Sequence, residues 1–224
     1  MALPADEPTT VRAPLSRERV LRAAIDLADS SGIESLTMRR LAQELGVEAM
    51  TLYYYVANKD EMLEGIVAIV MGEIELPSGD GEWKAALRRT AVSAHDVLAR
   101  HPWASARMMT SGLTPERLAY MEGILGCLRS GGFTPWQTHL AYHALESHIV
   151  GFTLWLASMA LPDDLADLAS SVLGMVDAEA NPYFVEHINE HLRAEHGEGD
   201  VSSFEFGLDL ILDGLERMRA AARG

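Results

Sequence analysis

The sequence holds one cysteine, Cys127, in 224 residues. A lone thiol excludes an intramolecular disulfide framework and a cysteine-rich zinc site, and it suits a reducing compartment. Long apolar runs are missing too. The longest, Ile149 to Leu161, spans 13 residues and contains Thr153 and Ser158, well short of the ~20 needed to cross a bilayer. The first ten residues carry Asp6 and Glu7 but no Lys or Arg, so no basic region leads into a secretory signal. A cytoplasmic protein with no membrane partner is expected. No G-x-S-x-G elbow, Walker loop or dinucleotide fingerprint occurs, which removes the usual signatures of serine hydrolases, P-loop NTPases and dinucleotide enzymes.

Basic residues are scarce: 18 Lys and Arg face 33 Asp and Glu, a formal charge of −15. Such a balance argues against a nucleic-acid partner only if it is spread evenly. It is not. Residues 11–59 hold seven bases (Arg12, Arg17, Arg19, Arg22, Arg39, Arg40, Lys59) against six acids, whereas residues 60–224 hold 11 bases and 25 acids. The acidity lies downstream, and the first sixty residues are free to meet DNA.

What remains is the composition of a folded globular chain, 48% hydrophobic and 23% charged, long enough for one large domain or two small ones. Residues 1–14, with prolines at 4, 8 and 14, read as a disordered arm. Beyond them helical periodicity dominates, no alternating strand pattern is found, and the expected class is all-α. Ser16 caps a first helix bearing Val20, Ala24, Leu27 and Ala28, which Gly32 stops. Thr37 caps a second that buries Leu41 and Leu45 and ends at Gly46. Glu48 opens a very short third helix through about Tyr55. Asn58 caps a fourth with Met62, Leu63, Ile66, Val67, Val70 and Met71 on its apolar face. After the turn at Pro77–Gly81, helical patterns cover about 82–100, 103–111, 114–130, 134–160, 164–177 and 183–195. In a last helix Phe204, Leu208, Ile211, Leu215 and Met218 recur at spacings of 4, 3, 4 and 3, widened by Leu212, as in the seam of a coiled-coil-like bundle.

The segment 37–59 carries the chemistry. Two helices separated by Gly46-Val47 form a helix-turn-helix pattern, because Gly46 permits the positive φ of a tight turn. A short second helix presented by its N-terminus is how a recognition helix enters a major groove. Its first residues, Ala49, Met50 and Thr51, suit thymine methyls and a phosphate or base edge. Neighbours on a helix lie about 100° apart, so Tyr53, Tyr54 and Tyr55 cannot share one core, and at least one hydroxyl faces out. Lys59 adds a charge beside the free N–H groups of the fourth helix, a phosphate clamp. Arg39 is the candidate for a guanine contact; Arg40 reads equally as a solvated surface charge.

These residues, with Leu45-Gly46-Val47, Thr51-Leu52-Tyr53 and Asn58-Lys59 in order, resemble the DNA-binding signature of the TetR family of bacterial repressors. Trp83, Gly132-Phe133, Gly151-Phe152-Thr153-Leu154, Phe204-Glu205-Phe206-Gly207-Leu208 and Gly214-Leu215-Glu216 are similar to the C-terminal half of the tetracycline repressor. The resemblance implies a three-helix DNA-binding domain over 15–60 and a larger helical ligand-binding and dimerisation domain over 61–224. It implies DNA contacts from Arg39, Ala49, Met50, Thr51, Tyr53, Tyr54, Tyr55 and Lys59, and a homodimer joined through 134–160 and 202–221. The expected function is a ligand-responsive repressor that binds a palindromic operator and is released by a small molecule. Tetracycline repressors hold the drug as a magnesium chelate, and an ungapped alignment sets Gly72 and Met108 at their two histidines and Thr90, Gly112 and Ile124 at their Asn, Arg and Gln. Losing those donors removes most means of holding a polar chelate. A largely apolar effector is expected instead, lined by Trp103, Met108, Met109, His148, Phe152 and Trp155, with no cofactor and no metal.

Two rival readings stand beside this one. His187, Glu190 and His191 spell H-x-x-E-H, an inverted zinc-protease order, and a helical metalloenzyme would use them. Glu186, Glu195 and His196 around them point instead to a polar surface helix. His139 and His143 are also four apart, in an aromatic-rich helix where core or pocket roles are expected. The other rival is a helical protein-interaction module that binds no DNA.

Overall fold

The computed structural model describes residues 14–78, 82–110, 112–158, 165–193 and 202–221; within its helices the side chains of 109, 165–168 and 191–193 lie outside that description, as does residues 1–13, the greater part of the expected arm. Among the described residues the chain is all helix and turn, with no strand. It divides into two compact units, Met1–Ile69 and Val70–Gly224. No helix among the described residues is long and apolar enough to cross a membrane.

The first unit contains α1 (Arg17–Ser31), a single 3-10 turn, α2 (Met38–Leu45), α3 (Ala49–Leu52) and most of α4 (Lys59–Gly72). Local chemistry sets the starts of α1, α2 and α4. The Ser16 hydroxyl accepts from the Arg19 N–H at 3.2 Å, and the Thr37 hydroxyl accepts from the Arg40 N–H at 3.2 Å; caps of this kind contribute about 1 kcal/mol each. Asn58 Oδ1 accepts from the Glu61 N–H at 2.8 Å while Glu61 Oε2 accepts from the N–H of Ala57, one residue before the cap, at 2.6 Å, a variant of the capping box. Val20, Ala24, Leu36, Leu41, Leu52, Val56, Met62 and Ile66 fill the core. The third helix is shorter than its sequence suggests. It is one turn, Ala49–Leu52, after which Tyr53–Tyr55 continue as a turn closed by the Tyr55 and Val56 N–H groups on the Leu52 carbonyl.

In the second unit α8 (Pro135–Ser158) is the central element, packed against α5 (Trp83–Arg100), α6 (Pro102–Thr110), α7 (Pro115–Ser130) and α11 (Ser203–Ala221). α9 (Leu165–Met175) and α10 (Pro182–Arg193) pack on each other. Ion pairs fasten α11 to α5: Lys84 reaches Asp213 at 2.5 Å and Glu216 at 3.1 Å, and Arg88 reaches Asp209 at 2.9 Å. The stripe read as a bundle seam needs correcting. Phe204, Leu208, Leu212 and Leu215 are the buried positions of α11, so this stripe belongs to the chain's own core; Ile211 and Met218 are only half-buried. The 3.6-residue period of a straight helix favours Leu212 over Ile211 on the inward side. The apolar residues left outside are Phe206 and Leu210, 59% and 57% exposed.

Candidate nucleic-acid interface and effector site

The turn between α2 and α3 is built on Gly46, at φ 65° and ψ 39°. In that left-handed conformation its N–H bonds back to the Gln43 carbonyl at 3.1 Å, and the Val47 N–H reaches the Ala42 carbonyl at 2.9 Å, the paired bonds of a Schellman motif. Buried Leu41, Leu45 and Leu52 pin both sides of the turn to the core. This leaves the opposite surface to solvent. Met50, Tyr53 and Tyr54 are exposed, Tyr54 at 88%, while Ala49, Thr51 and Tyr55 are half-buried.

The two arginines at the start of α2 separate cleanly. Arg40 Nη2 donates to Ser31 Oγ at 2.9 Å, which folds it back onto the end of α1. Arg39 is exposed and has no side-chain hydrogen bond or ion pair among the described residues; the same holds for Lys59. The N–H groups beside Lys59 are less free than the sequence suggests, since Asn58 takes that of Glu61. Lys59 therefore offers its charge more than a backbone nest. Glu61 also lies 3.4 Å from Arg17, and the Ala57 N–H, with help from that guanidinium, holds its carboxyl below the usual value.

In the second unit the residues read as a ligand wall take two positions. Trp103 and Met108 are buried on α6, which packs on α8, and the Met109 side chain lies outside the described residues. His148 and Phe152 join an aromatic cluster between α5, α8 and α11. Phe204 is stacked between His95, with ring centroids 4.0 Å apart, and His148, at 4.8 Å; Phe152 meets all three rings. Trp155 touches Phe152 at 5.6 Å but is 50% exposed. His148 Nε2 lies 2.8 Å from the Phe204 carbonyl, which can only accept, so that nitrogen carries the proton. Gly207 leaves room for the ring: a Cβ there would stand 2.6 Å from His148 Cε1.

His95 was not among the residues singled out in the sequence, because no motif surrounds it and its partners come from two distant helices. Its Nδ1 lies 3.4 Å from Thr153 Oγ1, whose hydroxyl already donates to the Ile149 carbonyl at 2.8 Å, so Nδ1–H is the donor. Burial pushes the His95 pKa down, outweighing nearby Asp96 and Glu205. A second polar group sits between α7 and α8. The buried Tyr120 hydroxyl donates to Glu146 Oε1 at 2.7 Å; burial raises the Glu146 carboxyl and pushes Tyr142 up to about 12.

Two fully buried hydroxyls, Thr90 on α5 and Ser105 on α6, have no hydrogen-bond partner among the described residues. Leaving such a group unpaired costs about 1–3 kcal/mol. On α10 His187 and Glu190 are exposed, the His191 side chain lies outside the described residues, and no set of three metal-binding side chains gathers among the described residues.

Residues 20–66 match the family model of bacterial regulatory proteins of the tetR family, and residues 77–219 match that of the tetracyclin repressor-like C-terminal domain. The HTH-type transcriptional repressor DrrR1 of Streptomyces coeruleorubidus is 34% identical over 224 residues, covering 94% of this chain and 80% of that protein. The class D tetracycline repressor of Escherichia coli is 31% identical over 147 residues, 63% of this chain and 66% of its own. Among solved structures, apo ActR of Streptomyces coelicolor aligns with a TM-score of 0.72 at 27% identity, covering 95% of this chain and all (100%) of that one. ActR in complex with actinorhodin aligns with a TM-score of 0.70 at 27% identity, covering 92% and 99%.

Proposed function

The chain belongs to the TetR family of bacterial regulatory proteins, and on that premise we propose that it is a repressor that holds a palindromic operator as a homodimer and releases it when a small organic molecule binds. Membership makes it a DNA-binding regulator of transcription rather than an enzyme, so His187, Glu190 and His191 are set aside as a catalytic centre. Residues 15–60 are the reading head and 61–224 the sensor.

The observation that carries the DNA reading is the solvent-facing edge of the helix-turn-helix, where exposed Met50, Tyr53 and Tyr54 lie in one unit with unpaired Arg39 and Lys59. Met50 and Ala49 suit thymine methyls, Arg39 a guanine edge, and Thr51, Tyr53, Tyr54, Tyr55 and Lys59 phosphates. A one-turn reader gains little affinity alone, and two heads on half-sites about one helical turn or more apart combine. The uncovered apolar side chains of α11 (Phe206, Leu210) and α8 (Leu140, Leu154) support a dimer made from two helices of each copy.

Support for an effector comes from the buried, unpartnered hydroxyls of Thr90 and Ser105, which a bound molecule would satisfy, and from apolar Trp103 and Met108 on the same α6. The aromatic cluster of His148 and Phe152, with Trp155 at its edge, completes the proposed lining together with Met109. That ActR is seen with actinorhodin favours an organic, largely apolar effector here. Such a molecule weakens operator binding only by its differential affinity for two states of the dimer.

Fluorescence anisotropy against tiled DNA flanking the protein's own gene, titrated at several salt concentrations, tests the reading. Saturable binding to one palindromic tile with a steep salt slope is expected. No binding even at low salt would leave a helical interaction module instead.

A further inference from the structure

We propose that the cavity between the start of α5 and the end of α7 is a second small-molecule site, which takes an amphipathic organic cation of the aromatic-amine class. The cavity measures about 520 Å³ and is closed on its third side by Arg219 of α11, a size that suits a one- or two-ring molecule. Its floor is glycine. Gly123 and Gly126 lie inside α7 and neither has a positive φ, so each weakens the helix relative to alanine without serving a turn. The chain's own packing accounts for only one of them. A Cβ at 123 would stand 3.1 Å from Pro77 Cδ, whereas a Cβ at 126 would meet nothing within 4 Å. The missing side chain at 126 leaves room for a flat molecule against the helix backbone.

The wall supplies an independent reason. Trp83 lines the cavity at 4% exposure, and its Nε1 N–H has no partner among the described residues. Phe133 meets its ring edge to face at 4.8 Å, the Arg219 guanidinium stands 5.3 Å from its ring centre, and a Cβ at Gly131 would lie 2.8 Å from its Cγ. A ring held this firmly offers its N–H to an acceptor oxygen on the ligand. Charge decides the class. Glu82 and Glu122 line the same cavity, are exposed, and have no hydrogen bond or ion pair at their carboxylates among the described residues. Arg219 is already engaged, donating to the Gly131 carbonyl at 2.9 Å and standing 3.6 Å from Glu216. The free charge of the wall is therefore negative and favours an ammonium group. Burial pushes the Cys127 thiol pKa up, so this neighbour stays a neutral thiol and binding is noncovalent. The site also stands clear of the proposed dimer face. No residue given for its lining belongs to α8, and Arg219 is nine residues from Leu210, which at about 100° per residue sets it on the opposite side of α11. None of these residues belongs to the proposed operator or effector sets, so the inference does not rest on that reading.

The test uses the full chain with isotope-labelled tryptophan. Tyramine, which joins an aromatic ring and a phenol oxygen to an amine, is titrated while the indole N–H signals are followed by NMR, and W83F assigns the signal of Trp83. That signal should shift saturably, whereas those of Trp103 and Trp155 in the proposed effector lining should stay in place. Ethylphenol, which lacks the amine, should bind about tenfold more weakly, and hydroxyphenylpropionate, which carries a carboxylate instead, should not bind. G126L should fill the cavity and abolish the shift, with unchanged helicity by circular dichroism showing that the variant folds. The E82Q/E122Q chain probes the same site without touching the core; it should bind tyramine about tenfold more weakly and ethylphenol as the parent does. The proposal is overturned if tyramine moves Trp103 or Trp155 instead of Trp83, if the G126L chain binds it as the parent does, if ethylphenol binds equally well, or if no indole signal moves at millimolar concentration.

Discussion

The two units treat their polar atoms differently. In the first, the starts of α1, α2 and α4 are closed by Ser16, Thr37 and the Asn58–Glu61 pair, and no buried side-chain nitrogen or oxygen lacks a partner among the described residues. In the second, Trp83 Nε1 and the hydroxyls of Thr90, Ser105 and Thr138 are all buried without one. Its surface also carries Trp136, Phe206 and Leu210 uncovered. The first unit is therefore finished as a fold and presents its binding groups outward. The second keeps unmet hydrogen-bonding capacity inside and unburied apolar area outside, features that fit the sensing and assembly roles proposed for it.

The contrast can be broken most forcefully in the head. Leu52 is fully buried, and Leu52→Ala should cost about 2–5 kcal/mol. It should abolish operator binding, read by thermal melting and anisotropy together, while effector binding survives if the second unit folds without it. On the outer surface of the second unit, Leu210→Asp should dissociate the proposed dimer with helicity retained. Sedimentation velocity decides this, and an unchanged sedimentation coefficient would remove α11 from the interface.

A substitution inside the second unit should act with the opposite sign. Thr90→Val removes an unpartnered hydroxyl at nearly constant volume, so stability should be unchanged or rise by about 1 kcal/mol, while effector affinity falls. Loss of stability by chemical denaturation would mean that the hydroxyl is already satisfied in the free protein. A smaller effect is expected at Lys59. Lys59→Ala should weaken operator binding about equally across sequences and lower the salt slope by about 1, with no change in effector affinity.

The smallest expected effect is on pH. His95 has its folded-state pKa depressed by burial, with His148 adding to the depression and Asp96 and Glu205 opposing it. The unfolded chain then binds the proton more readily. Stability should fall as pH drops through the unfolded imidazole value of about 6.5, and His95→Gln should flatten that decline in denaturant midpoints measured between pH 8 and pH 5.

How much of this was legible in the sequence follows from how local each feature is. The starts at Ser16, Thr37 and Asn58 and the stop at Gly46 depend on residues within four positions, and each lies where the sequence sets it. The extent of α3 depends on where Val56 packs, a tertiary matter, and the helix ends at Leu52 rather than near Tyr55. On α11 a period of 3.5 and one of 3.6 are hard to separate over four turns, and packing against α5 and α8 selected Leu212 over Ile211. The ring stack of His95, Phe204 and His148 draws on three helices, and no spacing along the chain encodes it.

The handedness of the backbone gives the Gly46 turn one more consequence. Its angles, φ 65° and ψ 39°, are close to the mirror image of those of a right-handed helix, so the turn is a place where an amino acid of opposite chirality is at home. A chemically synthesised head with D-alanine at 46 would keep both Schellman hydrogen bonds and restrict the unfolded chain, whereas L-alanine would meet the crowding that disfavours left-handed residues. Among the coded residues, glycine meets this conformation at the least cost because it lacks the Cβ that makes the others handed.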